Sequence, residues 1–460
     1  MNVSTSDSIL SPLQDAAPTD SVLSPRYRAA TLGMVALISL IAFEALAVTT
    51  AMPTVARELD GLKLYALAFG GTLATSVIGM TLAGRWADTH GPSLPLWSGL
   101  SCFVAGLLLA GLAQNMSTLL LGRLVQGLGA GGMSVALYVI VGRLYPESLR
   151  PRIFAAFSAG WVVPSMIGPA LSGLIVEHVG WRWVFLAVPL LAVPAAAILR
   201  PAMRAMPAVQ AARQSSLRPV LLAFGAAVGV CLVFVAGQQH GLVAAAVLVP
   251  AVALLGFCAK GMLPAGTLRA ARGLPSVIVL RGLAASAFFG CEAFLPLLLS
   301  REHGLSPLWS GMALSAGALG WFSGSWYQGH YAKMSRQSLL NLGTAALAIG
   351  IATTATAAWP SAPVFVSVAG WGLTGLGMGL LYASLSVLML SLSPPEEQGV
   401  NSSALQLCES LTVATTLAVG GSLFAAFLAW SPTVAFLSNF MLAGALALLG
   451  NVVARRTHAP

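Results

Sequence analysis

Fourteen runs of about 20 apolar residues, joined by short polar connections, constrain this chain more than any other feature. They lie near 31–53, 64–84, 94–113, 117–142, 152–176, 181–200, 218–236, 241–259, 274–299, 306–327, 337–357, 362–391, 400–428 and 434–454. About 20 apolar residues in a helix cross the hydrocarbon of a bilayer. Hydrophobic residues make up 57% of the chain and charged ones only 8%, against roughly 25% charged in soluble domains. Mean hydropathy is +0.85. The expected fold class is therefore an all-α integral membrane protein of 14 spans, without a soluble domain.

Charge placement sets the expected sidedness. Cytoplasmic connections carry an excess of Lys and Arg. With the N-terminus inside, only Arg57, Lys63, Arg182 and Arg301 of the 23 basic residues fall outside. Arg123 and Arg281 lie within runs, and the rest are cytoplasmic. Both termini are thus expected in the cytoplasm. The same placement accounts for the net charge of +9 without a nucleic-acid partner. Residues 1–29, rich in Ser, Pro and Asp, read as a disordered cytoplasmic tail. They lack the basic start and apolar core of a signal peptide. The five cysteines sit in apolar runs without ligand spacing and read as small buried hydrophobes. Trp181, Trp183, Trp359 and Trp430 flank outer run ends and read as interfacial anchors.

An internal repeat organises the runs. GRLVQGLGAGGMSVALYVIVGRLYP (122–146) and GWGLTGLGMGLLYASLSVLMLSLSP (370–394) agree at nine positions at an offset of 248. That offset also places Glu44 (FEAL) on Glu292 (CEAF). A duplicated six-helix unit follows, an architecture transporters use with substrate held between the halves. The expected domains are a six-helix bundle at 30–200, linkers with two inserted helices at 201–273, a second bundle at 274–454 and a tail at 455–460. GLGAGG (127–132) is not a dinucleotide loop, because no strand or acidic ribose partner accompanies it. Small residues at this spacing let helices approach closely.

Three carboxylates fall within runs: Glu44, Glu292 and Glu409. An ionised group at mid-bilayer costs about 3 kcal/mol or more. Glu44 escapes that cost by taking up a proton or by pairing with Arg123. Alternation between those states would carry protons, whereas a permanent bridge would only orient helices. Glu409 is open between binding a cationic substrate and pairing locally. Arg281, near a cytoplasmic run end, is expected to snorkel.

Several motifs resemble those of major facilitator transporters. GRLVQGLGAGG contains the fourth-helix pattern R-x-x-Q-G, and GRWADTHGPSLPL (84–96) resembles the loop motif between helices two and three. GWVVPSMIGPALSG (160–173) resembles the fifth-helix exporter motif, while WRWVFLAVP (181–189) and FEALAVTTAMP are similar to segments of the 14-span drug:proton antiporters. The resemblance implies a major facilitator fold, two six-helix bundles plus two extra central helices. It implies proton coupling at Arg123 and Gln126, helix shaping at Gly168 and Pro169, and a cytoplasmic latch at Asp88 and Gly91. Departures occur: Pro92 and Ser93 replace the basic pair of the loop motif, with Arg85 the compensating cation, and Ser172 replaces a glycine. Trp371 stands at the second-half equivalent of Arg123.

The expected function is proton-coupled export of small amphipathic, cationic compounds by alternating access, with no enzymatic activity. Glu44, Arg123 and Glu292 are the expected proton-coupling residues. Gln126, Glu292 and Glu409 are expected to bind substrate, and Arg85, Asp88, Gly91, Gly168 and Pro169 to gate. The expected partners are a small-molecule substrate, protons and the lipid bilayer; no metal or cofactor is expected, only the proton gradient. The expected location is the cell membrane of a bacterium. The same fold also serves metabolite import or facilitation, and export of lipid or envelope precursors.

Overall fold

A computed structural model describes residues 21–458 except 62–63, 205, 207–216, 238, 240, 306, 332 and 429. Most of the expected N-terminal tail lies outside the described residues. Those described form helices and connections, with no strand.

The first bundle comprises α1 (Arg28–Glu58), α2 (Tyr65–His90), α3 (Ser93–Gly111), α4 (Met116–Leu144), α5 (Arg150–His178) and α6 (Arg182–Ala197). A short helix, α7 (Arg200–Arg204), leads toward the inserted pair α8 (Arg218–Ala236) and α9 (Gly241–Met262). The second bundle comprises α10 (Leu274–Glu292), α11 (Leu295–His303), α12 (Pro307–His330), α13 (Arg336–Thr354), α14 (Val364–Ser391), α15 (Gln398–Leu428) and α16 (Pro432–Ala454). By length and composition, 10 helical segments are apolar enough to cross a membrane, or up to 11 with the bent α5. The α10–α11 pair counts as one segment. The other runs lie on α2, α12 and the 16-residue α6.

The repeat is visible in which helices touch. In the first bundle α1 packs on α5 and α6, α4 on α2 and α3, and α3 on α6. In the second, α10 packs on α15 and α16, α14 on α12 and α13, and α13 on α16. The offset of 248 carries one set onto the other.

Glycine makes these approaches possible. A Cβ on Gly127 or Gly131 would meet backbone of α2 closer than 3.0 Å, and on Gly122 or Gly129 backbone of α3. Their counterparts Gly375 and Gly379 face α12 backbone equally closely, and Gly370 and Gly377 face α13. Each central helix is thus clamped between two neighbours by glycines on opposite faces, with dispersion contacts rather than side-chain bulk supplying the attraction.

The bundles meet along α2–α15 and α5–α12, related pairs under the same offset. The inserted helices α8 and α9 pack on each other, α8 lies along α2, and both touch α15. They therefore lie over the α2–α15 seam and not over α5–α12.

Candidate functional site

Glu44 lies near the centre of α1, and its carboxylate meets the Arg123 guanidinium of α4. Both side chains are only 6% exposed. Arg123 also donates to the Gln126 side-chain carbonyl at 2.8 Å and to the Ala68 carbonyl of α2 at 3.3 Å. Helical spacing explains the cluster, since residues three apart share a face. Gln126 is fully buried, and its amide nitrogen has no partner among the described residues. This is an ion pair with one unused donor beside it. Buried polar atoms are usually paired, so the unused donor marks this pair out.

Glu292 is the last residue of α10, where the helix breaks before α11. It is half-buried, with no ion pair or hydrogen bond among the described residues. A carboxylate at a helix C-terminus, where carbonyls concentrate negative charge, favours a cation. Repeat-related Glu44 and Glu292 thus differ in partner: among the described residues the first has an arginine and the second has none.

Glu409 is placed elsewhere. On α15 it accepts from Arg281 Nε at 2.7 Å and from the Tyr382 hydroxyl at 3.0 Å. Arg281 does not snorkel; it is completely buried. The reason is its set of partners: Nη1 donates to Ser386 Oγ at 2.9 Å and to the Tyr382 carbonyl at 3.2 Å, and the guanidinium lies over the Tyr382 ring. Nη2 donates to the Tyr138 hydroxyl of the first bundle at 3.2 Å. Tyr138, Tyr382 and Ser386 escaped sequence reading because nothing in an apolar helix marks which hydroxyl will face a charge.

The gating candidates gather at the end of the bundle where α2 passes into α3. Asp88 is buried, and its two oxygens accept the backbone N–H groups of Gly399 at 2.6 Å and Val400 at 2.7 Å. Those amides open α15, so the carboxylate caps a helix of the other bundle and meets its positive dipole end. Gly91 ends α2 with φ +82°, a conformation that glycine adopts without penalty, and turns the chain into α3. Arg85 is half-buried one turn before Asp88. Gly168 is buried against the Leu46 and Phe43 side chains of α1. The Pro169 side chain lies outside the described residues, but α5 bends by 44° across that position; proline lacks a backbone donor and kinks helices. Ser172 donates to the Ala47 carbonyl at 2.7 Å, so the departing residue ties α5 to α1.

Ser134 also donates to Gln406, joining α4 to α15. The side-chain hydrogen bonds of Ser134, Tyr138 and Asp88 across to the other bundle thus lie in the half of the molecule where α2 passes into α3. Arg123 is about 22 Å along α4 from Tyr138, on the other side of that closed layer.

Two smaller expectations resolve here. The cysteines are free, with Cys258, Cys291 and Cys408 buried and Cys102 and Cys231 half-buried. Trp181 is not an interfacial anchor: it is buried and donates to Glu58 at 2.8 Å. Trp183, Trp359 and Trp430 are exposed.

The family profile described as Major Facilitator Superfamily matches residues 32–416. The chain belongs to the major facilitator superfamily. That family is one of membrane transporters. Among its relatives is the multidrug transporter protein MdtP of Bacillus subtilis, 33% identical over 153 residues, 33% of this chain and 28% of that one. The MFS-type transporter gkaD of Penicillium citrinum is 35% identical over 157 residues, 34% of this chain and 27% of that one. These matches span under a third of either relative's length. In three dimensions the chain resembles the human organic anion transporter MFSD10, with TM-score 0.68, 15% identity and coverage of 94% and 99% of the two chains. The proton:xylose symporter XylE gives TM-score 0.66 at 13% identity, with 92% and 94% covered. At these identities the likeness is one of fold.

Proposed function

We propose that this transporter is a proton-coupled antiporter of the cell membrane, exporting small amphipathic cations by alternating access across 14 spans. The carrying observation is the buried Glu44–Arg123 pair with Gln126 beside it. An ionisable group held inside a membrane bundle is costly and is characteristically kept for transport. In this reading Glu44 exchanges Arg123 for a proton during the cycle, and Arg123 retains Gln126 and the Ala68 carbonyl when Glu44 lets go. Glu292 supplies uncompensated negative charge for the cationic cargo, at the break between α10 and α11. Glu409, with both oxygens engaged, contributes to cargo only after Arg281 releases it. Asp88, Arg85 and Gly91 close the cytoplasmic side, while Gly168 and Pro169 let α5 pivot on α1.

The proton gradient drives the cycle, about 2.3 kcal/mol per charge for each 100 mV of potential adding to the pH term. The names of the two Bacillus subtilis relatives, a multidrug transporter and multidrug resistance protein 3, support the drug-efflux reading. The test is transport of tetraphenylphosphonium in proteoliposomes under an imposed pH gradient. Glu44→Gln is expected to fold, bind the probe and lose gradient-driven movement. Undiminished gradient-driven movement in that variant contradicts the assignment.

A further inference from the structure

A cavity of about 420 Å³ opens between the start of α3 and the short helix α7, far from the ion pairs. Ser93, Trp97, Arg200, Met203 and Arg204 line it. Arg200 and Arg204 are one helical turn apart and project to the same side. Among the described residues neither has a carboxylate within ion-pair distance. The Arg200 guanidinium lies 5.7 Å from the Trp97 ring, which holds it over the cavity.

The opposite wall is also electropositive. α3 starts at Ser93 without a side-chain cap and without an acidic residue in its first turn. Pro92 and Pro95 carry no N–H and the Leu96 amide bonds the Pro92 carbonyl, so the Ser93 and Leu94 amides are the two left without an intrahelical acceptor for an anion. The Ser93 hydroxyl reaches only the Met203 sulfur, at 3.8 Å, a weak acceptor. Two guanidinium forks, a hydroxyl and a helix N-terminus converge on one space with no negative group among its lining residues. Phosphate oxygens match that donor set, because Arg binds them bidentately.

The position selects the source of the phosphate. Leu94, next to Ser93, is 44% exposed, and Ile198, two residues before Arg200, is 46% exposed. Farther along α6, Leu190 and Leu191 are more exposed still. These apolar side chains face the hydrocarbon beside the cavity. A ligand with a phosphate head and acyl tails satisfies both surfaces; a free phosphate satisfies one. The charge count puts this end of the bundle on the cytoplasmic side, where anionic lipids collect and basic pockets between helices hold their head groups.

We propose that the α3–α7 cavity is a binding site for the phosphodiester head group of an anionic phospholipid. Its occupant ties α7, the exit from the first bundle, to α3. The site needs only the bilayer placement, so its failure would leave the proton-coupling reading standing.

The test titrates the purified full-length protein in neutral detergent with dihexanoyl phosphatidylglycerol, dihexanoyl phosphatidylcholine and inorganic phosphate, scored by native mass spectrometry. One phosphatidylglycerol is expected to bind about tenfold more tightly than phosphatidylcholine or phosphate, the worth of one charged hydrogen bond. Arg200→Gln/Arg204→Gln should erase that preference while leaving the lipid-free melting temperature unchanged, because both side chains are exposed. Arg57→Gln, about 36 Å along α1 from Gly33, which packs on Leu199 next to Arg200, should keep it. Equal binding of both lipids, a preference that survives the double variant, or equal competition by inorganic phosphate would each overturn the proposal.

Discussion

The two bundles share a backbone device and differ in their charges. Gly127 and Gly131 clamp α4 to α2 as Gly375 and Gly379 clamp α14 to α12. At the Arg123 position, however, the second half has Trp371. It is fully buried, stacks on Phe288 at 4.6 Å and donates to the Leu314 carbonyl of α12 at 3.2 Å. Arg123 likewise donates to a carbonyl of the matching helix, α2. The helix-to-helix hydrogen bond is kept and the charge removed, which leaves Glu292 without the partner that Glu44 has.

The second half carries its own arginine elsewhere. The positions equivalent to Arg281 and Glu409 in the first half are Gly33 and Trp161. The Arg281–Glu409 pair therefore has no counterpart in the first half; it lies about 16 Å along α10 from Glu292. Tyr138 and Ser386, related by the offset, both touch its guanidinium. One pair stands beside an unused amide within a single bundle. In the other every guanidinium nitrogen of Arg281 is engaged, with contacts from both bundles. In the proposed cycle the first pair changes state and the second holds the two bundles together.

That contrast is open to attack by mutation, and Arg281 gives the largest expected change in stability. Arg281→Leu leaves Glu409 buried against a single hydroxyl donor and should cost about 3–5 kcal/mol. Arg281→Leu/Glu409→Leu should recover most of it, read by thermal unfolding in detergent; a double variant as unstable as the single one would mean the pair is not a unit. The glycine clamps come next. Gly127→Ala and Gly375→Ala each push a Cβ into a facing carbonyl, Thr72 and Gly317 respectively. Each should lose about 1–3 kcal/mol, and a large inequality between them would break the equivalence of the halves. Tyr138→Phe is the mildest. It removes one acceptor from Arg281 and should shift the balance toward the cytoplasm-open form by about 0.5–1.5 kcal/mol. Cysteine accessibility along α14 reports that shift, and no change would remove Tyr138 from the closure.

The helices, their order and the repeat were readable because hydropathy and glycine spacing are local. The approach of Glu44 to Arg123 was also readable, since a lone acid and a lone base inside apolar runs have few other partners. Arg281 misled because a position near a run end looks like access to water. Its burial is set by α4 and α14 closing over it, which depends on how the bundles meet. Glu409, 128 residues away, was equally ambiguous until α15 packed on α10. The span count shows the opposite problem: α6 has an apolar run, yet its helix is only 16 residues long.

The direct test of the central claim compares the two pairs in one assay. Purified protein in weakly buffered detergent solution is given tetraphenylphosphonium, and released protons are counted. Release from the wild type and from Glu409→Gln, with none from Glu44→Gln, is the predicted result. Release from Glu44→Gln equal to the wild type would show that the proton leaves from another group, and the α1–α4 pair would then be scaffolding.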